Sequence, residues 1–496
     1  MGAPTLRESD KERRIRERRG LLFEESRAGR RGTDLPRSEF PEAIFGAEAE
    51  LRRDRVDGMP ELSEVEVVRH FTRLSRLNFA IDLGLYPLGS CTMKHNPKVN
   101  EWAARLPGFA RVHPYTPDVL AQGCLELMAE LEGMLAVITG MDAVSLQPSA
   151  GAQGELTGIM LVRAYLAAKG DPRKVVLVPD SAHGTNPATV SFCGYEVEQV
   201  RSDEHGCVDL QYLESRVNDD VAAMMITNPN TLGVFEENVA QIARLLHARG
   251  ALLYMDGANM NAMIGITRPG DAGADVMHLN LHKTFSTPHG GGGPGAGPVA
   301  VKKHLEPFLP TPRIVQEGDR YRLEDDRPQS VGRVRSFYGN FGMLVRAYAY
   351  IRAVGAEGLR DSGTMAILNA NYVRKGLEKV LHLPYPGRSY HEVVFSDREI
   401  EKATGVRTLD IAKRLMDFGF HPPTVYFPLI VSGALMIEPT ESESREELDA
   451  FIEAMKTIVE EARTEPEKVK TAPHTTPVRR LDEVGAARNP RLRWKP

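Results

Sequence analysis

The chain has 496 residues, 42% of them hydrophobic, and a net charge of −5. That length buries a large core and divides into more than one domain, while the near-balanced charge gives no sign of a nucleic-acid partner. No run approaches 18 uninterrupted apolar residues, which excludes a membrane-spanning helix, and four cysteines without C-x-x-C spacing fit a reducing compartment.

Residues 1–60 carry 14 Lys/Arg against 13 Asp/Glu and little apolar periodicity. Transit peptides are poor in acids and signal peptides need an apolar core, so neither pattern is met and a cytoplasmic location is expected. The stretch reads as short helices and an extended arm that lies on a partner. From about residue 76 to 340, strand-like and helix-like runs alternate. Ser149-Ala-Gly-Ala-Gln-Gly154 stands before a helical pattern over 155–169, with Gly170 as its stop. A small-residue turn opening a helix points free N–H groups at an anion. Ser149 could add a hydroxyl, with Ala150 and Gly151 giving backbone. No Gly-Lys-Ser/Thr follows, so this is not a Walker loop.

Lys174–Pro179 reads as a strand, followed by His183, either a ring-stacking partner or a hydrogen-bonded turn residue. Val221–Thr227 reads as a strand, followed by Asn228-Pro-Asn-Thr231; Thr231 is either a donor to a ligand hydroxyl or part of a turn. A helix near 236–248 and a strand over 251–256 complete a βαβ unit ending in Asp256. Asp275–Asn280 is another apolar run. It leads into His282, Lys283, His289 and the glycine cluster 290–293. A buried lysine serves as a Schiff-base nucleophile, and a carboxylate can keep a pyridinium nitrogen protonated. Alone, Lys283 also reads as a surface lysine and Asp256 as a helix cap. Their order, an anion loop, a ring partner, a polar turn, then Asp and Lys, each after a strand, fits the aspartate-aminotransferase-like (fold type I) class of pyridoxal phosphate (PLP) enzymes.

Downstream, 341–463 opens with a helix over 341–354 and closes with one near 444–462. Glu392–Phe395 and Leu429–Val431 between them read as strands of a smaller α+β domain. The expected division is therefore 1–75 arm and helices, 76–340 large domain with a mainly parallel sheet, 341–463 small domain, and 464–496 a Pro- and charge-rich tail.

Gly89-Ser-Cys-Thr-Met-Lys94, Ser149–Glu155, Ala182-His-Gly-Thr-Asn-Pro-Ala188, His289–Gly295 and Met436-Ile-Glu-Pro-Thr-Glu-Ser-Glu443 together resemble the glycine decarboxylase (P-protein) family of the glycine cleavage system. The likeness runs from about residue 80 into the tail, where Ala472-Pro-His-Thr475 also fits. It matches the carboxyl-terminal, lysine-bearing half of the fused form. It thus implies the PLP-bearing subunit of a split enzyme, glycine dehydrogenase (aminomethyl-transferring), with a sister subunit 1 in an α2β2 assembly.

The resemblance also implies PLP covalently held at Lys283, with Asp256 on the ring nitrogen and His183 stacked on the ring. Ser149, Ala150 and Gly151 would hold the phosphate, and Thr231 the ring hydroxyl. Glycine is the implied substrate, and the aminomethyl acceptor is the lipoyl group of H-protein. His282 and His289 are candidates for proton transfer or for support of the lysine turn, and Cys91 reads as a small buried residue. No metal is expected. Another fold type I PLP lyase or aminotransferase, and a non-catalytic scaffold subunit, are the alternatives.

Overall fold

The computed structural model describes residues 20–34, 36–37, 39, 51, 58–290 and 295–493. Most of the expected arm, the glycines 291–293 and the last three residues lie outside these. The chain forms two compact units, Ile81–Ala472 and a second made of Met1–Ala80 with Pro473–Pro496.

The larger unit is built on a seven-stranded sheet in the order β1-β7-β6-β5-β4-β2-β3. Its strands are β1 (Ala143–Ser145), β2 (Val175–Pro179), β3 (Glu196–Val200), β4 (Val221–Thr227), β5 (Leu252–Gly257), β6 (Val276–Leu279) and β7 (Val299–Val301). β7 runs antiparallel to both β1 and β6, and the pairs among β2–β6 are parallel. All seven residues of β4 and all six of β5 are buried. Their unbroken apolar runs follow from that, since a parallel strand covered on both faces has no wet side to alternate with.

The helix Gly151–Ala168 starts inside the small-residue string, four residues earlier than its apolar spacing indicates. Packing explains the difference. A Cβ on Gly151 would stand 2.7 Å from the Asn280 side chain, one on Gly154 2.7 Å from the Gly297 carbonyl, and one on Gly158 2.4 Å from the Tyr254 ring. These three glycines make a flat face that lets the helix lie against β5 and β6.

Beyond the large sheet, the helix Phe341–Leu377 bends at Gly355, whose φ of 67° is non-helical. It leads to an antiparallel sheet ordered β10-β12-β11, with β10 (Val393–Ser396), β11 (Thr424–Val425) and β12 (Ala434–Ile437). The hairpin of β8 (Arg313–Glu317) and β9 (Arg320–Glu324) stands apart from both sheets. The strand expected at 429–431 is a turn, and the ladder is carried by Ala434–Ile437 instead. Leu429 is 86% exposed. The apolar triplet was misleading because Ser432-Gly433 redirects the chain before pairing begins. In the other unit, the helix Glu64–Ser75 opens with a capping box between Ser63 and Glu66. Among the described residues no helix is long and apolar enough to cross a membrane.

Candidate active site

Asp256 is the last residue but one of β5, in register with Thr227 on β4 and His278 on β6. Its Oδ2 accepts from Asn186 Nδ2 at 3.0 Å and its Oδ1 from the Ala258 N–H at 2.9 Å. His278 Nε2 stands 3.3 Å from Oδ1. His278 Nδ1 contacts the Tyr254 hydroxyl at 2.7 Å. Burial drives the Tyr254 phenol well above its usual range, so it donates to Nδ1 and the ring proton on Nε2 faces the carboxylate.

Burial alone would raise the Asp256 carboxyl. His278, Asn186, the Ala258 N–H and the Lys283 ammonium outweigh it, so the group is held below its ordinary value. Glu155 lies in the same cluster, its carboxyl raised by burial and by Asp256. Two close carboxyls that differ this way keep Asp256 as the charged one. A carboxylate offers about four acceptor sites and three are occupied, which leaves room for one more cationic donor.

Lys283 follows β6. It is 9% exposed, and its Nζ donates to the Ser90 carbonyl at 2.7 Å. Its ammonium acts electrostatically on Asp256, His183, His282, His289, His391, Glu392, Glu438 and Cys91, so these groups share one site. Lys94 is a second buried lysine beside it. Its Nζ binds Glu441 at 2.6 Å and the Thr284 carbonyl at 2.9 Å. Burial pulls the Lys94 ammonium down, but Glu441 and Tyr350 outweigh that and raise it, so Lys94 stays charged.

The helix Gly151–Ala168 has Ala150 as N-cap, and no side chain caps it. The Ser149 hydroxyl donates to Gln153 Oε1 at 2.7 Å, so it is turned toward the helix. His183 Nδ1 accepts the Thr185 N–H at 3.2 Å, and Thr185 in turn donates to Glu155. The Thr231 hydroxyl donates to the Ser181 carbonyl. That proton is committed, so as placed Thr231 offers a lone pair rather than the hydrogen expected of it.

His282 departs further from expectation. Burial and the neighbouring His289 and Lys283 depress its imidazole to about 3. It therefore stays neutral near pH 7 and does not titrate there. His289 is lowered for the same reasons, burial first.

Buried polar atoms without a partner gather along the lysine turn: Asn280 Oδ1, His282 Nδ1, Thr284 Oγ1, Thr287 Oγ1 and His289 Nε2, with Asn186 Oδ1 and Asn261 Oδ1 nearby in the fold. Native interiors seldom leave such groups unpaired, so this is the signature of a site built around a polar ligand. Sequence reasoning missed Asn186, His278, Lys94 and Glu438 as individual residues, although each lies inside a string it singled out. Glu392 carried no signal beyond one acid at the head of an apolar strand.

A seven-stranded sheet with one antiparallel strand, a buried lysine after β6, an aspartate at the end of β5 and an uncapped helix N-terminus after β1 define a class: PLP-dependent enzymes of fold type I. In structure the chain resembles glycine decarboxylase (P-protein) of the glycine cleavage system in inhibitor-bound form, with TM-score 0.70 at 23% identity over 83% of this chain and 93% of that one. A sphingosine-1-phosphate lyase from Burkholderia pseudomallei K96243 follows at TM-score 0.61 and 13% identity, over 88% of this chain and 95% of that one. Residues 34–325 match the family model "Glycine cleavage system P-protein", and 362–479 match "Glycine dehydrogenase, C-terminal domain".

Curated relatives named "Probable glycine dehydrogenase (decarboxylating) subunit 2" match nearly the whole chain. That of Caldanaerobacter subterraneus subsp. tengcongensis is 55% identical over 97% of this chain and 99% of its own length. That of Halalkalibacterium halodurans is 57% identical over 96% and 98%. The chain belongs to the glycine cleavage system P-protein family.

Proposed function

We propose that this chain is the catalytic, PLP-bearing subunit of a two-subunit glycine decarboxylase, and that Lys283 binds the cofactor covalently. Glycine dehydrogenase (decarboxylating) activity is the function that the family and its subunit 2 relatives carry to it. When bound, PLP supplies an electron sink for the charge left on the glycine α-carbon as CO2 departs. The chain's own residues do the rest. Asp256, kept ionised by His278, Asn186 and the Ala258 N–H, holds a proton on the ring nitrogen. The N–H groups of Ala150 and Gly151 would hold the phosphate with the positive end of an 18-residue helix behind them, whereas the Ser149 N–H and hydroxyl both donate to Gln153 Oε1. His183 would stack on the ring. Thr231 would accept from the ring hydroxyl rather than donate to it. The orphaned polar atoms of the Asn280–His289 turn are the groups a bound cofactor and substrate would satisfy.

The observation that carries the reading is the ionised Asp256 at the end of β5, on the strand next to the one that delivers the buried Lys283. The acceptor is the lipoyl disulfide of H-protein, and the partner is a sister subunit 1, two of each forming the assembly in the cytoplasm. Apolar side chains exposed along the helix Glu64–Ser75 support a partner: Val65, Val68, Phe71 and Leu74. Neither an aminotransferase nor a scaffold role has an observation in its favour.

The test is lipoyl-dependent exchange of CO2 into glycine, measured with the chain alone and with its sister subunit. Exchange is expected only with both, together with a borohydride-fixed pyridoxyl group on Lys283. Full activity in an isolated monomer would end the partner reading, and a pyridoxyl group elsewhere would end the Lys283 assignment.

A further inference from the structure

Opposite Lys283 lies a feature the reaction described above does not use. Glu392 stands immediately before β10 and Glu438 immediately after β12, and both are fully buried. Carboxyl oxygens of the two, with a ring nitrogen of His391, lie within 4.8 Å of one another. Both acids grip one loop. Glu392 Oε2 accepts the Ser90 N–H at 2.8 Å. Glu438 Oε2 accepts the Thr92 N–H at 2.9 Å, and its Oε1 accepts the Thr92 hydroxyl at 2.6 Å and Asn261 Nδ2 at 3.3 Å. Ser90 and Thr92 have φ of 63° and 49°, a left-handed conformation that a β-branched threonine adopts only when its surroundings hold it there. The Ser90 carbonyl is the acceptor of Lys283 Nζ.

The two acids are not equivalent. Glu438 has three donors, whereas Glu392 has one, and its buried Oε1 accepts no hydrogen bond, with His391 Nε2 at 3.6 Å. Two buried carboxylates this close do not both ionise cheaply. The one with more hydrogen-bond donors keeps the charge, and the other keeps a proton.

We propose that Glu392 and Glu438 form an unequal pair, neutral and ionised respectively, that positions the amine of Lys283 through the Ser90–Thr92 loop. Both are positioning residues. The charged member also serves as counter-ion to the lysine before cofactor attachment. The other titratable groups that face the pair are Cys91, His289 and His391. Burial holds the Cys91 thiol neutral, and it depresses both imidazoles, that of His391 to about 3. Glu438 is therefore the charge that Lys283 meets from this side. Burial raises both carboxyls: with the charge of Glu438 it sends Glu392 well above the carboxylate range, while the Thr92 contacts, Lys283 and Asn261 restrain the rise of Glu438.

This inference rests on the proposed role of Lys283, and two measurements on the full chain separate the two claims. The first is the pH at which added PLP half-maximally labels Lys283, read by borohydride trapping and mass spectrometry. Glu438→Gln removes a negative charge beside the ammonium, so the free amine becomes available at lower pH. The midpoint should fall by about one unit or more. Glu392→Gln replaces a neutral acid with a neutral amide and should leave the midpoint in place.

The second measurement needs no cofactor. Relative to wild type, the infrared band of protonated carboxylic acid should weaken in Glu392→Gln and be retained in Glu438→Gln. Equal midpoint shifts in the two variants, or no shift in Glu438→Gln, would overturn the unequal pair. So would an unchanged acid band in Glu392→Gln, whatever the labelling shows. Failure of the wild-type chain to label at Lys283, with the infrared result intact, would overturn the cofactor assignment instead.

Discussion

The two ends of the site are built differently. Asp256 sits on sheet backbone, and its neighbours His278 and Tyr254 come from the same or the adjacent strand. Its carboxylate has a partner on each oxygen before any ligand arrives. Lys283 lies where a turn meets the Gly89–Lys94 loop and residues beside the small sheet, segments that join groups about 190 to 350 residues apart in sequence. Unpartnered polar atoms concentrate at this end. The aspartate end is a finished electrostatic device, whereas the lysine end is completed by what binds there. Preorganised charge belongs on rigid strands, and groups that must release and recapture a ligand belong on loops.

The comparison is broken most completely by Lys283→Ala, which should abolish the borohydride-reducible cofactor link while leaving the fold intact. A reducible link at full stoichiometry in that variant would refute the assignment. Next in size is Lys94→Met. It leaves Glu441, whose side chain is only 14% exposed, without its cation and frees the Thr284 carbonyl beside Lys283. A loss of about 3–5 kcal/mol in denaturant unfolding is expected, the usual result of removing one partner from a buried pair. A loss below 1 kcal/mol would show that the loop does not depend on this anchor.

At the finished end, Asp256→Asn keeps the shape and removes the charge. Decarboxylation should drop by at least the ~1.5–3 kcal/mol of one charge-assisted hydrogen bond, roughly 10- to 150-fold, with PLP still bound through its phosphate. Equal losses of binding and rate would mean that Asp256 holds the cofactor rather than tuning it.

Acid sharpens the contrast. His282 and His391 fall from an ordinary 6.5 to about 3 in the folded chain, chiefly through burial. Between those values the unfolded chain binds more protons than the folded one. The stability these residues contribute is therefore complete above pH 6.5 and is lost as pH falls toward 3. Each should contribute a slope of up to about 1.4 kcal/mol per pH unit. His391→Gln should flatten the acid limb of a pH–stability curve, and an unchanged slope would show that the ring is not held neutral. The smallest effect is expected at Leu429→Ser, within about 0.5 kcal/mol by thermal unfolding, because that side chain lies on a turn and not in the ladder.

Legibility in the sequence follows the same division. β4 and β5 were readable because burial on both faces forces continuous apolar runs, and the acid at the end of β5 could be placed from that alone. The helix over 151–168 begins before its apolar spacing does. Gly151, Gly154 and Gly158 look like turn residues until β6 and the Tyr254 ring are seen to need the space. The strand pairs at 434–437 and not near 430, because a local apolar triplet does not reveal which residues find a pairing partner.

By itself the sequence determined the order of functional loops along the chain, the identity of the lysine and the aspartate, and a doubly covered parallel sheet. These are local consequences of strand burial and of residue chemistry at strand ends. Only the tertiary structure decided which groups are charged. Thr231 spends its proton on Ser181, His282 is neutral, Asp256 is ionised beside a raised Glu155, and Glu392 and Glu438 meet across 46 residues on one strained loop. Protonation depends on burial and on neighbours from distant segments, and neither is written in the spacing of residues along the chain.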